Sequence, residues 1–166
     1  RRFFVGRSLS VATLAEREQG LIGAAGNPKR LTGLHALEQQ HVRFINRQPG
    51  SGTRVWLDNA LQQEGLNSGQ IQGYSHEKTT HTAVAQAVAE GQAGAGLGLE
   101  AAALSFGLDF VPLASERYDL VLSRRGLQHP AVEHLVSWLK RPGSRMLLQR
   151  IGGYETYASG EVRWVE

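Results

Sequence analysis

The chain has no cysteine in its 166 residues, which excludes disulfides, thiolate metal sites and cysteine nucleophiles. On compartment this absence is neutral. Long apolar runs are missing too. Uncharged stretches such as Ala93 to Leu99 fall far short of the ~20 residues a membrane-spanning helix needs, so membrane insertion is not expected. No basic-then-apolar signal segment opens the chain. There is no initiator methionine, and the start at Arg1, Arg2, Phe3, Phe4 implies that upstream sequence is missing. Charge of one sign is scarce as well. The formal net charge is +3, and Arg124–Arg125 and Lys140–Arg141 are isolated pairs, which describes solvated faces better than a nucleic-acid surface. No internal repeat or low-complexity tract is present.

What remains is a globular composition: 41% hydrophobic, 20% charged, and 20 glycines that supply turns. The length suits one domain or two small lobes. Short apolar runs at Val11–Leu14 and Leu21–Ala25 predict strands, the second stopped by Gly26-Asn27-Pro28. Thr32 is a candidate cap for a short helix through Glu38. Strands are expected at Val42–Asn46, Ile71–Tyr74, Ala93–Leu97, Phe110–Leu113 and Tyr118–Ser123. Helices are expected at about Thr53–Glu64, from Thr79 or Thr80 to Glu90, at Glu100–Phe106, Pro130–Lys140 and Ser144–Ile151. The tail from Tyr154 to Val165 predicts a hairpin. Strands alternating with helices through short connections make this an α/β chain with a mainly parallel sheet. Ligands of such sheets sit beyond the carboxyl ends of strands. The loop of interest therefore leaves Val42–Asn46.

That loop reads Asn46-Arg47-Gln48-Pro49-Gly50-Ser51-Gly52-Thr53-Arg54. Its glycines let backbone N–H groups approach a ligand closely, and Ser51 and Thr53 carry hydroxyl donors. The helix that starts here presents unsatisfied N–H groups and a positive dipole end. Arg47 and Arg54 add forked, delocalised charge suited to an oxyanion. A capped helix after a glycine turn, with surface arginines, would read the same. The chemistry alone leaves both open.

Arg47-x-x-x-Ser51-Gly52-Thr53 resembles the R-x-x-G-S-G-T loop of phosphate- and tungstate-type periplasmic binding proteins. The longer string from Asn46 to Arg54 is similar to the binding-protein-like domain of molybdate-linked regulators, a relative of LysR-type substrate-binding domains. Further similarity lies in Arg17-Glu18-Gln19-Gly20-Leu21, Gly26-Asn27-Pro28, Thr79-Thr80-His81-x-Ala83-Val84-Ala85, Gly94-x-Gly96-x-Gly98, Leu108-Asp109-Phe110-x-Pro112-Leu113, Glu116-Arg117-Tyr118-Asp119-Leu120 and Gly152-Gly153-Tyr154. The resemblance covers nearly the whole chain. It implies a type II periplasmic-binding-protein-like α/β fold of two lobes, the first incomplete at its N-terminus because nothing before Arg17 matches the family's opening β-α-β segment. Residues 1–28 would be a remnant of lobe 1 with the first crossover, 29–114 lobe 2 with the oxyanion loop, and 115–166 the second crossover and return segment.

The same resemblance implies a function: capture of a small tetrahedral oxyanion, with molybdate or tungstate favoured, between lobes that close about the crossovers. Arg47, Ser51, Gly52, Thr53 and Arg54 would hold it. Thr80 would add donors from a second helix start, unless it is an ordinary N-cap, and Tyr118 a hydroxyl, unless it only packs a hinge. No cofactor beyond the oxyanion is expected. The implied setting is the cytoplasmic sensor module of a transcriptional regulator or molybdenum-cofactor-related protein, with a periplasmic transport receptor as the alternative. DNA would be contacted only through an upstream winged-helix domain outside this chain, and a homodimer is a further expectation. The chain is not expected to be an enzyme. A phosphate-ester-handling α/β enzyme would need a base near Ser51 and a metal site, and only Asp58, Asp109 and Asp119 are available as aspartates.

Three motif likenesses lead nowhere by spacing. His76-Glu77-Lys78-Thr79-Thr80-His81 is one residue too long for HExxH, and histidines at i and i+5 diverge by about 140° on a helix. Gly94-x-Gly96-x-Gly98 lacks the dinucleotide spacing and reads as a buried strand with close backbone contacts. Ser51 has no nucleophile elbow around it. His35, His41, His129 and His134 are scattered and expected to be exposed.

Overall fold

A computed structural model describes residues 9–165. These residues divide into two compact units, 18–114 and 9–17 with 115–165. Of the segment 1–28 read above as a lobe remnant, residues 1–8 lie outside the described residues.

The unit Glu18–Ala114 is a sheet covered on both faces. Its strands are parts of β1 (Leu9–Gly23) and β5 (Asp109–Ser123), with β2 (Phe44–Arg47), β3 (Glu77–Lys78) and β4 (Ala95–Leu99), in the order β3-β2-β4-β1-β5. Strand β2 runs parallel to β3 and β4, whereas β1 is antiparallel to β4, pairing Gln19 with Leu99 and Gly23 with Ala95. Parallel pairing requires a crossover, and helices α1 (Gly52–Gln63) and α2 (His81–Ala89) provide it, followed by the short α3 (Glu100–Ser105). Every residue of β2 and β4 is buried, as expected of strands covered on both sides.

Successive strand residues point to opposite faces, and the two cores follow that alternation. Leu21, Phe44 and Leu97 join Leu57 and Leu61 of α1 in one cluster. Ile22 and Ile45 join Val84, Ala85 and Val88 of α2 in the other. Glycine at 96 lets α2 lie close: a Cβ there would sit 2.4 Å from Val84 Cγ1 and 3.1 Å from Ile45 Cγ2. Gly96 and Gly98 thus lie in a buried strand, and Gly94 just precedes it.

The second unit contains the first part of β1, the last part of β5, helices α4 (Arg124–Leu127), α5 (Pro130–Leu139) and α6 (Pro142–Arg150), and strands β6 (Tyr154–Glu155) and β7 (Val162–Val165). Helix α5 starts on Pro130, whose missing N–H costs nothing at that position.

Local expectations changed in several places. Thr32 does not cap the short helix, which is a 3-10 turn over Leu34–Glu38 that starts after Gly33 with no side-chain cap. The runs expected as separate strands are continuous 15-residue strands, β1 and β5. Polar residues interrupt the apolar pattern but do not end pairing, because Arg17 and Glu116 form an ion pair at 2.6 Å between them. Ile71–Tyr74 is not a strand. Its backbone bonds beside β2, with the Gln72 carbonyl accepting from Phe44 N at 2.8 Å, but Gly73 at φ 86° bends it out of the ladder. The tail is not a hairpin either. Strands β6 and β7 both pair with β1, and the turn between them is tied to β1 by Ser159 Oγ donating to the Leu14 carbonyl at 2.6 Å and Gly160 N to that of Thr13 at 2.8 Å.

Candidate functional site

The register Asn46↔Glu77 and Arg47↔Lys78 ends β2 and β3 at the same level. The loops that follow, 48–51 and 79–80, therefore leave side by side. Gln48 N donates to the Lys78 carbonyl at 3.2 Å. The Gln48 side-chain amide, oriented by its surroundings, donates to the carbonyls of Lys78 at 2.9 Å and Thr79 at 3.2 Å. Arg47 closes the β2 end. It is only 8% exposed, and its Nη2 donates to the Thr79 carbonyl at 3.0 Å. Beneath it, Asn46 is fully buried. Its Oδ1 accepts from Arg47 N at 2.9 Å and its Nδ2 donates to the Tyr74 carbonyl at 3.2 Å.

Each loop ends in a hydroxyl N-cap. Ser51 Oγ accepts from Arg54 N at 3.2 Å at the start of α1, and Thr80 Oγ1 accepts from Ala83 N at 3.0 Å at the start of α2. A hydroxyl that accepts with a lone pair keeps its own O–H to donate. The N–H groups of Gly52 and Thr53, and of His81 and Thr82, precede any intrahelical acceptor, and the positive ends of both helix dipoles meet here. Gly50 turns the loop at φ 83°, and a Cβ at Gly52 would meet nothing within 4 Å, which leaves the start of α1 open to approach. Thr53 is 4% exposed, and its hydroxyl has no protein partner among the described residues. Arg47, Ser51, Gly52, Thr53 and Thr80 thus lie around two adjacent helix starts.

Arg54 and Tyr118 behave differently. Arg54, expected to give an anion its second charge, faces its own helix and β3: Nε donates to Asp58 at 2.8 Å, Nη1 to Glu77 at 3.1 Å and to the Arg47 carbonyl at 3.2 Å. Its guanidinium lies 4.4 Å from the Tyr74 ring centroid, and Tyr74 Oη hydrogen-bonds Asp58. Burial works against the Arg54 charge, but hydrogen bonds to Asp58 and Tyr74 outweigh it and raise the pKa above its ordinary value. Tyr74 is raised as well, by burial and then by the Asp58 bond. The Arg54–Asp58 spacing of four residues was readable on a helix; the roles of Tyr74, Glu77, Asn46 and Gln48 depend on chain segments meeting. Tyr118 sits on β5 in the other unit, half-exposed, with the Arg17 guanidinium 4.3 Å from its ring centroid.

The motif likenesses dissolve structurally. His76 lies in the turn before β3 and His81 opens α2, so no helix carries both. His35, His41, His129 and His134 are exposed. Among the described residues no group of three His, Asp or Glu could hold a metal ion. Among the described residues no helix is long and apolar enough to cross a membrane.

Residues 1–140 match the PBP superfamily domain. The chain belongs to the PBP superfamily. Its mixed α/β fold matches other PBP-like proteins. A domain described as the substrate-binding domain of a candidate molybdenum ABC transporter from Clostridium difficile superposes with a TM-score of 0.65 at 13% identity, covering 88% of this chain and 66% of that one. A candidate phosphate ABC transporter substrate-binding protein with bound phosphate, from Clostridium perfringens, also gives 0.65 at 13% identity, covering 89% and 72%. In sequence, the uncharacterised protein YvgK of Bacillus subtilis (strain 168) is 35% identical over 162 residues, 98% of this chain and 52% of the relative. This PBP-like chain spans about half the length of that relative.

Proposed function

We propose that this PBP-like chain binds a small tetrahedral oxyanion at the paired starts of α1 and α2, as the ligand-sensing module of a regulatory or molybdenum-handling protein. The observation that carries the reading is the convergence of two capped helix N-termini on one buried guanidinium, Arg47. Anions favour such a place because N–H donors and dipole ends are fixed before the ligand arrives. Ser51 and Thr80 donate O–H, Gly52 and Thr53 donate N–H, and Arg47 supplies charge. Arg54 holds the loop through Asp58 and Glu77 rather than contacting the ligand.

Micromolar affinity corresponds to about −8 kcal/mol, and four or five charge-assisted hydrogen bonds at roughly 1.5–3 kcal/mol each, before association costs, supply it. A fully deprotonated oxyanion needs only donors, whereas phosphate monoanion also wants an acceptor. The carboxylates beside this loop, Asp58 and Glu77, are held by Arg54, which favours molybdate or tungstate. Binding rather than catalysis is further supported by the two fold neighbours described as substrate-binding proteins, and by a Ser51 hydroxyl that caps a helix. Calorimetry of the chain with molybdate, tungstate, sulfate and phosphate tests the reading. Saturable heat from molybdate or tungstate is the expected result; no heat from any of the four overturns it.

A further inference from the structure

The opposite ends of the same strands frame a second concavity of about 390 Å³. Arg43 precedes β2 and Gly94 precedes β4, and because these strands are parallel, with Phe44 opposite Ala95, both amino ends open onto it. The oxyanion loop leaves the far end of β2, four residues or roughly 13 Å away. The two places are separate.

This cavity has cationic walls. Lys29, His41 and Arg43 line it, and no Asp or Glu is among the residues that do. Lys29 is half-buried with its stem laid over Gly94, where an added Cβ would lie 3.3 Å from Lys29 Cε and 3.5 Å from its Cγ. Neither Lys29 nor Arg43 makes an ion pair among the described residues, and Arg43 Nη2 donates to the Gly91 carbonyl at 3.0 Å. Glu90, next to Gly91 in the chain, is turned to the amides of Gln86 and Gln92, each at 2.7 Å. Like charges around one partly enclosed space repel, and a bound anion converts that repulsion into attraction. Val88, Ala93, Ala24 and Pro28 give the cavity apolar walls, and its volume is that of a small-molecule site.

We propose that this cavity is a second binding site, for a small organic polyanion whose carboxylate or phosphate groups meet Lys29 and Arg43 and whose body lies against Val88 and Pro28. Backbone NMR of the full chain in 150 mM salt, titrated separately with citrate and with glycerol 3-phosphate, tests it and separates carboxylate from phosphate recognition. At least one probe shifts the Gly91 and Gly94 amides to saturation. The Lys29→Gln/Arg43→Gln double variant weakens that binding tenfold or more, and Arg47→Ala leaves it unchanged. Lys29→Met keeps the stem over Gly94 and removes only the charge; it weakens binding threefold or more, and it carries the test if the double variant fails to fold. The proposal is overturned by absence of saturable shifts with both probes, by shifts confined to residues 50–53, or by unchanged affinity in Lys29→Met. Loss of oxyanion binding in the calorimetry above leaves this site standing, and the reverse also holds.

Discussion

Arg47 and Thr79, 32 residues apart, are joined by a hydrogen bond from the Arg47 guanidinium to the Thr79 carbonyl at 3.0 Å. The bond ties the last residue of β2 to the loop that caps α2, so the guanidinium is aimed before any ligand arrives. Arg47→Ala should weaken oxyanion binding by about 10- to 100-fold or more, since it removes one or two charge-assisted bonds of roughly 1.5–3 kcal/mol each. Arg47→Lys should recover only part of the loss, because an ammonium cannot keep the Thr79 bond and present a fork together. Calorimetric Kd values for the three proteins check this.

Ser51 separates capping from ligand contact. Its Oγ caps α1, and glycine tolerates an N-cap far better than alanine does. Ser51→Ala should cost ~1 kcal/mol of stability and Ser51→Gly only a few tenths, while both lose the hydroxyl donor and weaken oxyanion binding alike. Chemical denaturation beside calorimetry resolves the two effects.

Arg54 should reverse that balance. Its side chain is 12% exposed and engages Asp58, Glu77 and the Tyr74 ring. Partly exposed pairs are screened, so Arg54→Ala is expected to cost about 1–2 kcal/mol, a melting-temperature drop of a few degrees. Oxyanion affinity should change less than tenfold. A loss as large as that of Arg47→Ala would place Arg54 on the ligand.

Alkaline titration should find Tyr74. Its pKa is raised in the folded state, by burial and then by the Asp58 hydrogen bond, from an ordinary value of 10.0. A group whose folded pKa is raised keeps its proton longer when folded, so its contribution is complete below the unfolded pKa and is lost as pH rises through the folded one. Stability should therefore fall above about pH 10, and less steeply in Tyr74→Phe. Phenolate absorbance should show one late-titrating tyrosine fewer in that variant; an unchanged titration would refute the assignment.

Gly96 probes the packing of α2 on the sheet. Gly96→Ala drives a methyl group to 2.4 Å from Val84 Cγ1, and overpacking of this kind costs ~1–3 kcal/mol. Val84→Ala in the same chain should return part of that loss, giving a favourable coupling in a double-mutant cycle.

The loop from Arg47 to Thr53 was legible as a helix-opening candidate site because its chemistry is local. Arg47, Ser51, Gly52 and Thr53 lie within seven consecutive residues, and a glycine turn before a capped helix is written into a short run of sequence. The helices α1, α2 and α5 were legible for a related reason, since an apolar stripe at helical spacing is written into the order of residues.

Pairing was not legible. Nothing in the order of residues says that Tyr154–Glu155 and Val162–Val165 would both add to β1 instead of to each other. The residues themselves determined a PBP-like α/β chain with a glycine turn ahead of a capped helix. Only the tertiary structure decided that Thr79 would meet Arg47, that Arg54 would also be held by Glu77, and that Lys29 and Arg43 would line one cavity. Helix periodicity and caps act over a few residues, whereas strand register and charge proximity are set by segments tens of residues apart competing for the same partners.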